Sequence, residues 1–148
     1  MQFFVFDTST LEQLTSSDIP GSDISNVFRS KALKVFENAD IGYCLEAYHG
    51  ICDDHDVSLV EFTEHPIAAN LTDQTSGDTV WHVFTRSEAQ ALLKALSRMS
   101  ISKEDAENYL GDEKVAEDFK NLQLAQQSLQ TQLALVREGQ LGVWRVDH

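Results

Sequence analysis

The sequence predicts an α+β fold: a small sheet of three or four strands packed against helices, including one long helix near the C-terminus. Three observations carry this. The stretches 2–7 (QFFVFD) and 141–147 (LGVWRVD) are short, apolar and rich in aromatic and β-branched residues, as strands are. The stretch 79–85 (TVWHVFT) is the clearest strand of all. Between residues 112 and 138, Val115, Phe119, Leu122, Gln126, Leu129, Leu133 and Val136 recur by four and three, the spacing of one helix face. Helices and strands do not alternate as a βαβα series, which favours α+β over a doubly wound sheet. A chain of 148 residues has the size of one domain, taken as 1–148.

In order along the chain, strand 2–7 is apolar on both faces and reads as buried. A polar loop with Pro20-Gly21 follows, with a short helical turn at 11–14. Ser22 or Asp23 can cap a helix carrying Ile24, Val27, Phe28, Leu33, Val35 and Phe36. A second helix is expected over 43–52, then a charged turn, Asp53-Asp54-His55-Asp56. Residues 57–62 alternate as a strand would, or make one helical turn. Glu64-His65-Pro66 reads as extended, because a residue before proline is pushed out of the α region, and 68–78 reads as loop. After strand 79–85, Ser87-Glu-Ala-Gln90 fits a capping box, and Ala89, Leu92, Leu93, Leu96 and Met99 form a buried stripe. Ser102 caps a short acidic helix that ends at Gly111. The long helix 112–138 and the strand 141–147 complete the series. The apolar seam of that helix either packs on its own sheet or pairs with a second copy of the chain as a homodimer.

Charge is distributed unevenly. The net charge is −13, and residues 35–85 contain no Lys or Arg but ten Asp and Glu, four of the five histidines and both cysteines. This composition argues against nucleic acid as a partner, since phosphate recognition needs clustered cations. It argues equally against an anionic membrane surface. No apolar run approaches the ~20 residues of a membrane span, and the opening MQFFVFD lacks the basic segment of a signal peptide. A cytoplasmic location is expected, with Cys44 and Cys52 as free thiols.

Three constellations could carry chemistry. Cys44, His49, Cys52 and His55 place four zinc-type ligands within twelve residues, although the spacing matches no standard zinc module. The acidic turn at 53–56 fails as a calcium loop: counted from Asp54, the sixth position is Leu59 and the twelfth is His65, where glycine and glutamate are required. The stretch Phe3-Phe4-Val5-Phe6-Asp7-Thr8-Ser9-Thr10-Leu11 runs a buried strand into an Asp, a common position for a metal-binding carboxylate. These nine residues resemble the opening of PIN-domain ribonucleases. The resemblance implies a metal-dependent, nuclease-like hydrolase in which Asp7 works with further carboxylates. Glu46 and Asp105 are the nominees, and no motif surrounds either. Gly-rich phosphate loops, His-Glu-x-x-His and Gly-x-Ser-x-Gly are all absent.

The expectation that follows is a non-enzymatic acidic protein that masks a basic protein partner, such as a toxin, in the manner of bacterial immunity proteins and antitoxins. Fields from a cation-free surface steer such a partner. Glu46, Asp53, Asp54, Asp56, Glu61 and Glu64 are the expected contact residues, with Tyr43, Tyr48, Phe62 and Trp81 as candidate aromatic anchors. No catalytic residue, metal or cofactor is assigned in this reading. The alternative is an enzyme using Asp7, or a zinc protein using Cys44, His49, Cys52 and His55.

Overall fold

The computed structural model of the chain describes residues 1–38, 41–75 and 77–147. Its four strands are β1 (Gln2–Asp7), β2 (Lys34–Glu37), β3 (Thr79–Thr85) and β4 (Gln140–Asp147). They form one antiparallel sheet in the order β2-β1-β4-β3. The first and last strands are therefore the two central ones, with Phe3 opposite Trp144 and Phe4 opposite Val143. Alternation along each strand sends Phe3, Val5, Phe84, Trp144 and Val146 to one face of the sheet, and Phe4, Phe6, Trp81, Val83 and Val143 to the other. Both faces are apolar, so both must be covered.

Helices α1 (Thr8–Thr15), α2 (Ile24–Lys31) and α4 (Pro66–Gln74) cover one face with Leu11, Ile24, Phe28, Ala68 and Leu71. Phe28 is the centre of this layer. Its ring lies 4.8 Å from Phe6, 5.4 Å from Phe4 and 5.6 Å from Trp81, edge to face in each case, the arrangement that aromatic quadrupoles prefer. Helices α3 (Leu45–Asp54), α5 (Arg86–Ser97), α6 (Lys103–Leu110) and α7 (Val115–Leu133) cover the other face. The result is an α+β architecture, helices on either side of an antiparallel sheet. Among the described residues no helix is long and apolar enough to cross a membrane.

Three local expectations are corrected and one open alternative is decided. The helix expected through Phe36 ends at Lys31, Ala32 turns extended, and Val35 and Phe36 pair with Phe4 and Phe3 as strand β2. Two residues suited to a pleated surface thus follow the sheet rather than the helix period. Of the two options at 57–62, a strand or one helical turn, the chain takes the turn: a 3₁₀ helix, Val60–Thr63, in which Leu59 and Phe62 turn inward and Val60 is exposed. A three-residue repeat puts the first two on one side. Helix α4 lies where loop was expected, while His65, ahead of Pro66, is extended at φ −56° and ψ 135° as the residue before a proline should be. Pro66 occupies its first turn and His65 caps it, with Nδ1 accepting the Ile67 N–H at 3.1 Å. Proline suits that position because its missing N–H would be unpaired there anyway. The capping box of α5 is made by Thr85 and Glu88, two residues ahead of the expected one.

Helix α7 is also shorter than 112–138. Asp112 to Lys114 precede it as a turn, and after Leu133 the bonds Leu135 N–H to Gln132 O and Val136 N–H to Leu133 O tighten the last turn. Gly139, at φ 77°, then reverses the chain into β4. The seam of α7 turns inward: Leu122, Leu129 and Leu133 are buried against the sheet layer. What α7 leaves exposed is mixed, from Glu117 and Lys120 to Gln123, Leu124, Gln127 and Thr131, while Gln132 is buried.

Candidate functional site

Helix α3 organises the acidic region. Leu45, Tyr48, Ile51 and Cys52 recur at three- and four-residue spacing and are buried, which turns Glu46, Asp53 and Asp54 outward. The chain leaves the helix through Asp56, a non-glycine residue held at φ 60°, a conformation that Asp tolerates better than most residues. Glu61 and Glu64 follow on the 3₁₀ turn and its cap, both exposed. All six expected contact residues are therefore at the surface.

They divide among four positions. Asp53 and Asp54 sit at the end of α3 facing α6. There Tyr109 donates its hydroxyl hydrogen to Asp54 Oδ2 at 2.7 Å, and Asp53 and Asp105 act on the same hydroxyl. Asp56 and Glu61 line a cleft against α5 that Glu88 also lines. Glu46 stands in the first turn of α3, and Glu64 just before α4. The Asp54 hydrogen bond, with the charges around it, raises the Tyr109 hydroxyl above the usual tyrosine pKa. Asp105 is pushed up by partial burial but pulled down further by the Ser102 N–H and hydroxyl and by His55, so its carboxyl lies below the usual range. His55 Nε2 is 3.3 Å from Asp105 Oδ2.

Among the described residues, the salt bridges are Arg29–Glu37, His55–Asp105, Arg86–Glu138 and Arg145–Asp147. None involves the six acids. Asp53 and Asp54 moreover occupy the last turn of α3, which contains no basic residue. The carbonyl end of a helix disfavours negative charge; Asp54 is compensated there by the Tyr109 hydroxyl, whereas Asp53 stands where helix electrostatics alone would not put it.

The zinc-type constellation is dispersed. Cys44 and Cys52 face the core as free thiols. Burial pushes Cys44 up and Cys52 up to about 12, away from the thiolate that binds metal. His49 turns to the sheet, stacking on Trp144 at 5.5 Å and meeting His82 at 5.0 Å. His55 points instead to α6. Asp7 is exposed at the N-cap of α1, in the layer opposite the one that holds Glu46 on α3 and Asp105 on α6. Among the described residues no group of three or more His, Cys, Asp or Glu side chains is arranged to hold a metal ion.

Of the expected aromatic anchors, only Tyr43 is exposed; Tyr48, Phe62 and Trp81 belong to the core. Tyr43 donates to the buried carboxylate of Asp118 at 3.0 Å and receives the Asn121 amide. Sequence reasoning missed Tyr109. Its signal was an aromatic residue in the last turn of a helix that carries Glu104, Asp105 and Glu107. It also missed the His49–His82–Trp144 ring group, in which His82 and Trp144 are buried and which becomes visible only once α3 is packed on β3 and β4. No family model, curated protein or solved structure matches this chain.

Proposed function

We propose that this chain is a non-catalytic acidic binding protein, of immunity-protein or antitoxin type, that covers the basic surface of a partner protein. One observation carries the reading: Glu46, Asp53, Asp54, Asp56, Glu61 and Glu64 are all exposed and, among the described residues, none is matched by a cation of the chain. Glu46 stands at a helix N-terminus, where its charge also favours the fold, but Asp53 occupies the last turn of α3, where a charge kept only for stability would not be placed. Left open, the six carboxylates present a field that accelerates encounter with a cationic surface and repels nucleic acid. Tyr109 and Tyr43, exposed beside carboxylates at α6 and before α3, supply the amphipathic contact area that interfaces favour.

The test is capture of partners from the native host by tagged protein, at low and high salt, read by mass spectrometry. The expected result is one basic protein near stoichiometry at low salt. Its retention should fall steeply at high salt and in the Asp53→Asn, Asp54→Asn double variant. A partner retained equally at both salt concentrations, or no specific partner at either, would overturn the reading.

A further inference from the structure

Strand β2 ends the sheet. It pairs with β1 along one side, and among the described residues no strand lies along the other. An antiparallel ladder turns the backbone groups of alternate residues to opposite sides, so part of the N–H and C=O groups of Lys34–Glu37 point away from β1. Leu33, just before the strand, is 51% exposed, and Val35 and Phe36 are only partly buried. Helix α7 lies beside this strand: Phe36 lines a depression of about 330 Å³ together with Leu124, Gln127, Ser128, Thr131 and Gln132. Leu124, Gln127 and Thr131 are exposed and, at three- and four-residue spacing, share one face of α7.

Charge selects what can cover this side. Between Lys120 and Arg137 the sequence holds no charged residue, although 24% of the whole chain is charged and the net charge is −13. The charges on and just before β2 are Arg29, Lys31, Lys34 and Glu37, and Arg29 engages Glu37 at 2.5 Å. This side is therefore neutral to cationic in a chain that is acidic as a whole. Two such chains repel one another at long range and meet at least cost where like charge is absent. Glutamine carboxamides both donate and accept, so a face that carries them is complementary to a copy of itself. A basic partner would gain nothing from neutral residues flanked by Lys31 and Lys34.

We infer that β2 and the exposed face of α7 form the interface of a symmetric dimer, in which β2 pairs antiparallel with the β2 of a second copy. The two-fold axis runs normal to the sheet, as antiparallel pairing of identical strands requires, so the two four-stranded sheets continue with their faces in common. Because α7 lies beside Phe36, the same axis brings α7 toward its own copy. Four residues of ladder would not hold two chains, since short edge strands are poor templates for pairing. A stable interface buries roughly 1,200–2,000 Å², and the helix face supplies area that the strand lacks. The buried seam of α7 takes no part, and the inference does not depend on the function proposed above.

The test is sedimentation equilibrium of the full chain at physiological salt, over concentrations up to about 1 mM, with Gln127→Glu and Gln127→Lys as variants at an exposed helical position. The parent should pass from the mass of one chain to that of two. Each variant alone should raise the dimer dissociation constant at least about tenfold, because like charges then face one another across the axis. An equimolar mixture of the two should recover the dimer, and circular dichroism should show each variant folded as the parent is. Amide hydrogen exchange of the parent supplies a readout that needs no substitution: exchange within Lys34–Glu37 should slow as concentration rises through the dissociation constant. A chain that stays monomeric at every concentration would overturn the inference. So would a dimer that ignores charge at Gln127, one that is not recovered on mixing, or one whose β2 amides exchange at a rate independent of concentration.

Discussion

The Tyr109 ring covers Gly50. A Cβ built on Gly50 would lie 2.3 Å from Tyr109 Cε1, and the same ring delivers its hydroxyl to Asp54, one turn further along α3. Two residues of one helix thus seat an aromatic residue of another: Gly50 leaves the space and Asp54 takes the hydrogen bond. A glycine inside a helix costs about 1 kcal/mol against alanine, and here the close approach of α6 accounts for it.

This pairing sets a pH dependence. Tyr109 has a raised pKa in the folded protein, chiefly through the Asp54 hydrogen bond, so the protonated form is the one that folding favours. The stabilisation is present in full below the ordinary tyrosine value of 10.0 and is lost as pH rises through the folded value. Ultraviolet difference titration should show tyrosinate forming only above that ordinary value. Asp54→Asn should bring one of the three tyrosines back toward it, and Gly50→Ala, which displaces the ring, should do the same. A titration unchanged in both variants would contradict the assignment.

Asp53 should be a residue whose removal strengthens the fold. It is exposed in the last turn of α3, where a negative charge is unfavourable by about 0.3–1 kcal/mol at low ionic strength. Asp53→Asn is expected to raise the urea midpoint by a corresponding amount, with the gain shrinking as salt is added. If the variant is less stable than the parent, Asp53 has a structural partner and the argument for a functional charge fails.

The two cysteines should resist modification. Cys52 is fully buried, its thiol pushed up to about 12 by that burial, and Cys44 is buried and raised for the same reason. Because the thiolate is the reactive form, an aromatic disulfide reagent at neutral pH should find almost no accessible thiol in the native protein and both thiols in denaturant. Rapid native labelling of either would show that α3 opens locally.

Leu129 tests where the seam of α7 faces. It is fully buried in the core shared with α5 and the sheet, so Leu129→Ala should destabilise the folded chain by about 2–5 kcal/mol in urea denaturation. Sedimentation of parent and variant at equal concentration should give the same mass. A drop in mass, with monomer stability unchanged, would mean that the seam joins two copies instead.

Much of the fold was legible where local chemistry and tertiary packing agree. The strands at 2–7, 79–85 and 141–147 are apolar enough to be read without context, and Ser102 and Gly111 bracket α6 as capping rules require. The mistaken or undecided readings fall where a short segment had two options. Val35 and Phe36 suit a helix face or a strand, and only the presence of β1 alongside decides. Residues 57–62 alternate convincingly, yet sheet β2-β1-β4-β3 has no place for them, and Asp56 turns the chain instead.

The acidic region divides in the same way. That residues 35–85 carry ten acids and no Lys or Arg is a fact of composition, and its consequence for long-range electrostatics needs no fold. Which acids meet is a matter of three-dimensional placement. α6 packs on α3 because Ala106 and the α3 stripe share one core, and this brings Asp105 and Tyr109, some fifty residues away, to Asp53 and Asp54. The cleft arises because the turn at Val60–Thr63 folds back against α5, bringing Glu88 to the cleft that Asp56 and Glu61 line. Charge content is additive along a chain, whereas a site is a set of distances, and those depend on which apolar faces bury one another.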